Sequence, residues 1–335
     1  MTGNRQILID SLPEGKLEAI NYKLIDNPIP AVGDEEILCK TLMVTIAAGS
    51  RAGLQGSASY AGAPKTNIVM NGTGVSRVEE SNSDAFTVGD LVVCPSGWQD
   101  YSVQKASHCQ KITEDIDLGH YLGALGTNGL TAYFGLLTVG QPLENDTVLV
   151  SAAAGSVGHL VGQIAKIKGA RTVGVTSTAE KCRVLETKLG YESSVSYRSE
   201  DFRAELKAAC PKGVDVFFDN VGGEILESAL NHINMKARVV LCGGISAYNA
   251  TEPVPGPVNL MNLVIMRARM EGFIVIDYMD RAGVAVQELL GWVESEKLKF
   301  QIDLQEGFEN IPDTLNRLFT GKNLGKQLLK IDDPV

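Results

Sequence analysis

A short apolar strand, a tight turn of small residues and an amphipathic helix follow one another between residues 146 and 169 of this chain. Residues 147–150 are β-branched or aliphatic, which is typical of a buried parallel strand. The turn then places Ala153, Gly155 and Gly158 at the spacing of a dinucleotide-binding fingerprint, with alanine in its first small position. Small residues suit this turn because its backbone must approach a pyrophosphate, which the N–H groups and dipole of the helix N-terminus bind. The segment predicts a nucleotide site; the alternative is that these glycines only let a helix pack tightly on a sheet.

The second strand of the same segment, residues 171–176, indicates which nucleotide binds. An NAD site usually places an acidic residue at the end of this strand, about 20 residues beyond the glycines, to hold the ribose 2′-hydroxyl. Here the strand runs into three hydroxyl residues at positions 176–178, and Lys181 follows one helical turn later. Hydroxyl and ammonium groups suit a 2′-phosphate, and charge-assisted hydrogen bonds contribute about 1.5–3 kcal/mol each. Because Glu180, the competing candidate, is also explained by the dipole of the next helix, we expect NADP rather than NAD.

Composition restricts the partners of the chain. Its 335 residues allow two domains, and a net charge of −10 without a dense run of Lys and Arg argues against nucleic acid or an anionic membrane surface. No apolar run approaches the roughly 18 residues of a membrane span, and the start of the chain does not resemble a secretory signal. The six cysteines form no C-x-x-C pair, which indicates reduced thiols, a cytoplasmic location and no structural zinc. The four histidines do not cluster in the sequence either, so no metal site is expected.

The pattern of predicted secondary structure divides the chain into two regions. Residues 1–120 contain short β-type segments broken by Gly, Pro and Asn, which predicts a small, partly open β-barrel or a sandwich. Strands and helices alternate over residues 121–297, which predicts a doubly wound parallel sheet, and residues from about 298 to 335 are expected to complete the first domain. The predicted fold class is therefore α/β, with the substrate site in the crevice between the two domains. The expected strands include 37–42, 68–75, 91–93, 214–218, 239–242 and 273–276.

Several motifs beyond the turn carry a more specific pattern, at 129–137, 162–166, 219–224, 244–249, 270–273 and 321–326. They resemble the medium-chain dehydrogenase/reductase superfamily, and within it the zinc-independent branch of prostaglandin/leukotriene reductases, curcumin reductases and plant alkenal double-bond reductases. The resemblance covers most of the chain and implies a GroES-like N-terminal domain, a Rossmann domain, NADPH as hydride donor and a homodimer. Where zinc alcohol dehydrogenases carry a Gly-His-Glu motif, this chain has Asn71-Gly72-Thr73-Gly74, so a zinc-free reaction is expected.

The resemblance also assigns residues to the cofactor. Lys181 and Tyr197 are expected to bind the 2′-phosphate, with Ser177 and Arg198 nearby. Tyr197 has the alternative of being a surface aromatic residue, and Asn323 that of being an ordinary turn residue. The other residues expected at the cofactor are Ala154, Gly155, Ser156, Val157 and Gly158 in the turn, and Asn220, Cys242, Ile245, Ser246, Phe273 and Asn323 elsewhere.

The branch reduces a carbon–carbon double bond conjugated to a carbonyl group. Hydride adds to the β-carbon, negative charge accumulates on the carbonyl oxygen as an enolate, and a proton then reaches the α-carbon. Because a tyrosine hydroxyl can donate to the enolate oxygen, Tyr248 and Tyr60 are the candidate catalytic residues, and Asn128 and Tyr101 are weaker ones. Each tyrosine has the alternative of being only a pocket wall.

The expected substrate is a small α,β-unsaturated ketone or aldehyde. Two differences from the relatives prevent a more specific prediction of the substrate. Gly49 and a position near Ile265 stand where relatives carry pocket tyrosines. A wider pocket is therefore expected, and neither a prostaglandin nor a leukotriene is predicted as substrate. A quinone reductase, a non-catalytic NADPH-binding protein and a carbonyl reductase are the alternative functions.

Overall fold

The computed structural model describes residues 3–55 and 62–333. Within them the chain forms two compact units. The N-terminal unit runs as far as Leu122 and also includes Ile302–Asn323 and the residues from Gln327 onward. The second unit comprises Gly123–Gln301 and Leu324–Lys326. Each unit therefore includes a piece of the C-terminal segment.

The secondary structure of the described residues mixes strands and helices along the whole chain. The strands are β1 (Gly3–Ile9), β2 (Tyr22–Pro28), β3 (Glu36–Thr45), β4 (Gly74–Ser81), β5 (Leu91–Cys94), β6 (Tyr101–Lys105), β7 (Gln110–Ile112), β8 (Thr147–Ser151), β9 (Arg171–Thr176), β10 (Ser193–Ser196), β11 (Val214–Asp219), β12 (Ile233–Leu241), β13 (Arg269–Gly272), β14 (Ile302–Glu306) and β15 (Lys326–Lys330). The α-helices are α1 (Ala48–Leu54), α2 (Leu118–Tyr121), α3 (Thr127–Phe134), α4 (Gly158–Ile167), α5 (Ala179–Lys188), α6 (Phe202–Ala209), α7 (Gly223–Leu230), α8 (Met261–Ile265), α9 (Ala282–Glu294) and α10 (Ile311–Thr320).

The N-terminal unit is built on an antiparallel sheet. Its strand order is β14-β15-β3-β4-β5-β7, with β6 paired to β3, and β1 and β2 form a separate antiparallel pair. The C-terminal strand β15 joins this sheet by pairing Leu329 with Val44 of β3. Trp98 and Phe308 lie in one buried cluster, so the two ends of the chain share a core in this unit.

The second unit contains a six-stranded parallel sheet in the order β10-β9-β8-β11-β12-β13. Every residue of β8 is buried, as expected for a strand covered by helices on both faces. The chain order reverses between β8 and β11, which creates a topological switch point at the carboxyl ends of these two strands. The predicted α/β class, with an antiparallel barrel-like unit and a Rossmann-type sheet, is confirmed.

The prediction of a buried strand at residues 273–276 is wrong. The strand lies earlier, at Arg269–Gly272, and a 3-10 helix follows over Val275–Arg281. The neighbouring strand β12 ends at Leu241, which pairs with Gly272, so the residues that follow have no strand beside them. Ile276 is consequently 59% exposed. An apolar run alone did not distinguish a sheet strand from the segment that leaves the sheet.

The prediction of one strand over residues 68–75 is also wrong, because this segment changes partner halfway. The Ile68 oxygen accepts from the Ile9 N–H, and the Met70 N–H donates to the Ile7 oxygen, so the first half borders β1. The second half becomes β4 only from Gly74 and pairs with β3. Asn71-Gly72, which the prediction placed inside the strand, lies between the two pairings.

Candidate active site

The turn between β8 and α4 is stabilised by hydrogen bonds of its backbone. Ala152 adopts a left-handed φ of 47°, and the Ala153 N–H donates to a carbonyl oxygen of β9 at 3.0 Å. A side chain at Gly158 would place its Cβ 2.3 Å from the Ala152 oxygen, so glycine is required for α4 to start this close to the turn. The N–H groups at the start of this ten-residue helix can therefore bind a phosphate. Ala154 is buried, and the next three residues, Gly155, Ser156 and Val157, are half-buried.

His159 stabilises the turn from beneath. It is completely buried, its Nδ1 lies 2.8 Å from the Gly155 oxygen, and its Nε2 accepts from the Gln301 N–H at 3.3 Å. Because Nε2 accepts, Nδ1 carries the proton and donates to Gly155, which assigns the tautomer from the hydrogen bonds. Burial lowers the pKa of His159 to about 4, so the ring is neutral at physiological pH. The sequence indicated only a packing or surface position for this histidine.

Gln163, one turn further along α4 than His159, binds the same segment of the chain as His159 does, near residue 300. Its Nε2 donates to the carbonyl oxygens of His159 and Lys299 at 2.7 and 2.9 Å, and its Oε1 accepts from the Lys299 N–H at 2.7 Å. On the other side, the Gly325 N–H donates to the Ala154 oxygen at 2.8 Å. The turn is thus bound to two segments distant in the sequence. The sequence did contain a signal for these contacts, since His159 and Gln163 are polar residues four apart on the otherwise apolar face of α4. The sequence interpretation missed it.

The ends of β9 and β10 form the predicted 2′-phosphate site. Thr176 and Ser196 are paired in parallel register, so the following residues, Ser177 and Tyr197, leave the sheet side by side. Ser177 is buried, and its hydroxyl has no hydrogen-bond partner among the described residues. A buried unpaired hydroxyl is unfavourable unless a ligand completes it. Tyr197 is 40% exposed, so its ring is accessible to a ligand.

Two cations border this position. Lys181 lies in the first turn of α5, where the Thr178 hydroxyl caps the helix by accepting from the Lys181 N–H at 3.2 Å. The Arg198 guanidinium lies 5.8 Å from the centre of the Tyr197 ring. Glu180 is exposed on the same helical turn. These residues fit a 2′-phosphate, because the last residues of the strand and those directly after it, 176–178, carry hydroxyl groups rather than an acid, and two cations lie nearby.

A buried carboxylate, that of Asp219, connects the ends of β8 and β11 at the switch point. The sequence interpretation did not select this residue. The Ser151 hydroxyl donates to Asp219 Oδ1 at 2.7 Å and accepts from the Asn220 N–H at 2.8 Å. The N–H groups of Val221 and Gly222 also donate to Asp219, at 3.0–3.1 Å. Burial raises the pKa of Asp219, although these hydrogen bonds oppose the shift. The Asn220 amide donates to the Ser151 oxygen at 2.8 Å, which fixes the amide at the strand end.

The loop after β12 carries three of the expected cofactor residues. Cys242 is half-buried, and burial with the nearby Asp219 raises the pKa of its thiol to about 12, so it is not a nucleophile. Ile245 and Ser246 lie in a 3-10 helix over Ile245–Ala247, and the Ser246 hydroxyl donates to the Val221 oxygen at 2.6 Å. The loop is therefore attached to the carboxyl end of β11.

Tyr248 directly follows this 3-10 helix. Its hydroxyl oxygen accepts from the Gly244 N–H at 3.4 Å, and a Cβ at Gly243 would lie 3.3 Å from the same oxygen. The side chain therefore folds back over the two glycines at the end of β12. Because the oxygen is the acceptor in this contact, the contact does not use the hydroxyl proton.

Phe273 packs against two other aromatic side chains. Its ring lies 6.3 Å from those of Phe218 and Tyr278, edge to face in both cases. A Cβ at Gly135 would lie 2.3 Å from the Phe273 ring, so this glycine makes room for it. Phe218 precedes Asp219, so the ring of Phe273 packs close to the end of β11, and its cofactor contact stays a prediction.

The remaining predicted residues occupy different places. The Asn128 amide donates to the Ser156 hydroxyl at 3.5 Å, which places Asn128 beside the nucleotide turn. Asn323 is buried and belongs to the N-terminal unit, as does Tyr101, whose N–H donates to Asn4 Oδ1 at 2.8 Å. Tyr60 lies outside the described residues. Cofactor or catalytic contacts of these residues stay predictions.

Residues 3–55 and 62–333 contain neither a metal-binding group nor a membrane-spanning helix. This part of the chain contains no group of three or more His, Cys, Asp or Glu side chains arranged to bind a metal ion. It also contains no helix with the length and apolar character needed to cross a bilayer.

Comparison with known proteins extends these observations to nearly the whole chain. Residues 5–112 match the model for the N-terminal domain of oxidoreductases, and residues 156–291 match that for zinc-binding dehydrogenases. The NADPH-dependent curcumin reductase of Escherichia coli is 38% identical over 98% of this chain and 97% of its own length. The NADP(+)-dependent 2-alkenal reductase of Nicotiana tabacum is 38% identical over 83% and 81%, respectively. The structure of CurA from Vibrio vulnificus with NADPH superimposes with a TM-score of 0.94 at 36% identity, covering 98% of this chain and all of that one.

Two units of this kind, with a dinucleotide turn in the parallel sheet, define a medium-chain dehydrogenase/reductase. The chain belongs to this family, in the branch of NADP-dependent oxidoreductases that includes the curcumin and 2-alkenal reductases.

Proposed function

We propose that this protein uses NADPH to reduce the carbon–carbon double bond of α,β-unsaturated ketones or aldehydes. The observation that carries the proposal is the near full-length similarity to a curcumin reductase. The helix N-terminus after the small-residue turn and the buried Ser177 hydroxyl support it. Bound NADPH would supply the hydride that adds to the β-carbon of the substrate.

The adenosine end of the cofactor is assigned to the ends of β9 and β10. Ser177, with its buried unpaired hydroxyl, and Lys181 would bind the 2′-phosphate, while Tyr197 would pack beside the adenosine with Arg198. The start of α4 would bind the pyrophosphate through its N–H groups. His159 would keep this backbone in position without touching the ligand.

The reaction end is assigned to the loop after β12. The Tyr248 hydroxyl would donate to the carbonyl oxygen of the substrate as negative charge develops there, which lowers the barrier to hydride addition. The β-carbon would then carry a new C–H bond, and a proton from Tyr248 or water would complete the α-carbon. Tyr60 is proposed as a second donor. No zinc is required, because hydroxyl donors can stabilise the enolate, and the region around Asn71 lacks the zinc motif.

The experiment is a panel assay of NADPH oxidation with enones, enals, quinones and saturated aldehydes. Product masses and the position of deuterium from labelled NADPH identify the bond reduced. A product that is heavier than the enone by two hydrogen atoms with unlabelled NADPH, and that carries deuterium on the β-carbon with labelled NADPH, supports the proposal. Turnover only with quinones would indicate the quinone reductase, deuterium on the carbonyl carbon would indicate a carbonyl reductase, and saturable NADPH binding without turnover would indicate a non-catalytic protein.

The breadth of the substrate pocket is proposed from position 49. A Cβ at Gly49 would have no described atom within 4 Å, so the missing side chain leaves open space. The Gly49→Tyr variant is expected to disfavour bulky enones relative to small enals. Equal specificity constants before and after the change would contradict a role for this space.

A cytoplasmic homodimer is also proposed. Six free cysteines are consistent with a reducing compartment. Met261, Val264 and Ile265 of α8 are 61–64% exposed and immediately precede β13, the terminal strand of the parallel sheet. Exposed apolar groups of this kind are typical of subunit contacts. Light scattering of the purified protein measures the subunit number, and a Val264→Glu variant is expected to favour the monomer.

A further inference from the structure

Three of the six cysteines converge in the N-terminal unit, far apart in the sequence. Cys39 of β3 and Cys94 of β5 are completely buried in one apolar cluster, and half-buried Cys109 packs against it. The Cys94 thiol donates to the Ser76 hydroxyl at 3.5 Å, and the thiols of Cys39, Cys94 and Cys109 are close enough that each affects the pKa of at least one other. The described residues contain no metal-binding group, so this cluster is a set of free thiols.

The sheet register identifies which two thiols can be joined. Strands β5 and β7 are antiparallel, with Val92 opposite Lys111 and Val93 opposite Gln110. Continuing this register by one pair sets Cys94 opposite Cys109. Directly opposed residues in antiparallel strands point to the same face and have Cα atoms about 4.5–5.5 Å apart, within the range that a disulfide spans.

The three thiols differ in reactivity. Cys109 is the half-exposed member, and its Sγ lies 3.6 Å from the Lys105 oxygen. Hydrogen bonds from Cys39 and Cys94, together with the charge of His108, lower the pKa of Cys109. Hydrogen bonding to Cys109 and burial raise the pKa of Cys94, and burial raises that of Cys210. Peroxide reacts with a thiolate that solvent reaches, so Cys109 meets both conditions.

We propose that Cys109 and Cys94 form a peroxide-sensitive thiol pair, in which Cys109 is oxidised first and Cys94 closes a cross-strand disulfide between β5 and β7. In the first step the Cys109 thiolate attacks hydrogen peroxide, the O–O bond breaks, and a sulfenic acid and hydroxide form; the hydroxide takes up a proton to become water. In the second step the Cys94 sulfur attacks the Cys109 sulfur, which releases a second water. Overall, two thiols lose two electrons and two protons while one peroxide is reduced to two waters.

The test treats the full-length protein with hydrogen peroxide, blocks remaining thiols under denaturing conditions and maps the peptides by mass. We expect the loss of two hydrogen atoms and a linked peptide pair containing Cys94 and Cys109. The Cys109→Ser variant should lose this product, whereas the Cys94→Ser variant should retain a sulfenic acid on Cys109 that dimedone traps. Cys182→Ser is the matched control, since Cys182 is also half-buried but lies in the other unit.

The result that overturns the proposal is peroxide treatment that leaves Cys94 and Cys109 unlinked, or a Cys94→Ser variant in which dimedone traps no sulfenic acid on Cys109. A Cys39–Cys109 linkage would equally overturn the register argument. Thermal melting by circular dichroism shows whether each serine variant is folded. Because the assay follows thiol mass only, its outcome is independent of the proposed reductase activity.

Discussion

The nucleotide turn and the loop that carries Tyr248 are both at the carboxyl edge of the parallel sheet, but they are stabilised differently. The turn is fixed by contacts of 2.8–3.1 Å that involve buried His159 and the Gly325 backbone. In the loop, the N–H groups of Ile245 and Ser246 donate to the Asn220 and Val221 oxygens over 3.2–3.3 Å, and the Ser246 hydroxyl donates to the Val221 oxygen over 2.6 Å. The turn is therefore bound to the segments near residues 301 and 325, whereas the loop is bound to the residues that follow β11.

This difference is useful chemically. A pyrophosphate is the same in every catalytic cycle, so a preorganised backbone binds it without reorganisation. The proposed reaction end would instead contact the substrate through side chains on a loop, where functional side chains are common. Substitutions at the two ends should therefore affect different quantities: stability and cofactor affinity at the first, turnover at the second.

The largest effect is expected from Asp219→Ala, because it removes the acceptor shared by both strands of the switch point. The Ser151 hydroxyl and the N–H groups of Val221 and Gly222 would lose a buried partner. Several unsatisfied donors at about 1–3 kcal/mol each should lower the free energy of unfolding by about 4 kcal/mol. Urea unfolding measures this change. Asp201→Ala, at an exposed position of the same unit, is the control and should change stability little. A similar loss in both variants would contradict the role of Asp219.

Lys181→Ala tests the nucleotide end by cofactor choice. Loss of a charge-assisted contact of about 1.5–3 kcal/mol should raise the KM for NADPH about 10- to 100-fold and leave the KM for NADH nearly unchanged. Lys188→Ala, in the last turn of the same helix, should leave both values unchanged. Equal effects of Lys181→Ala on the two cofactors would contradict the 2′-phosphate assignment.

A pH-dependent stability is expected from His159. Its folded pKa of about 4 lies below the ordinary value near 6.5, so the unfolded chain binds a proton more readily. The resulting stability is present above pH 6.5 and is lost as the pH falls toward 4, by about 2 kcal/mol between pH 7.5 and pH 5. Urea unfolding of wild type and His159→Gln at both pH values measures this difference, and His108→Gln serves as control. An identical pH dependence in wild type and His159→Gln would show that His159 does not carry it.

The turn was predictable because its information is local: Ala153, Gly155 and Gly158 lie within one short segment whose spacing has a direct physical meaning. The residues that stabilise the turn could not be predicted in this way, because each acts through a partner distant in the sequence. His159 and Gln301 are 142 residues apart, and Ser151 and Asp219 are 68 apart. Only the folded sheet brings such pairs together. Tyr248 was predicted from its hydroxyl and its place in a loop after a sheet strand, and its catalytic role stays a prediction, since nothing in its local spacing indicates where its hydroxyl lies.

The smallest effect is expected from Tyr248→Phe, which removes one hydroxyl from the loop after β12. If this hydroxyl donates to the developing enolate, kcat should fall about tenfold, which corresponds to one hydrogen bond of roughly 1–1.5 kcal/mol. The KM for NADPH should stay the same, because the ring that folds over the two glycines is retained. Ser246→Ala, which removes a loop hydroxyl bound to Val221, is a comparison variant expected to alter cofactor affinity more than turnover. An unchanged kcat in Tyr248→Phe would transfer the donor role to another group and leave the cofactor end of the comparison intact.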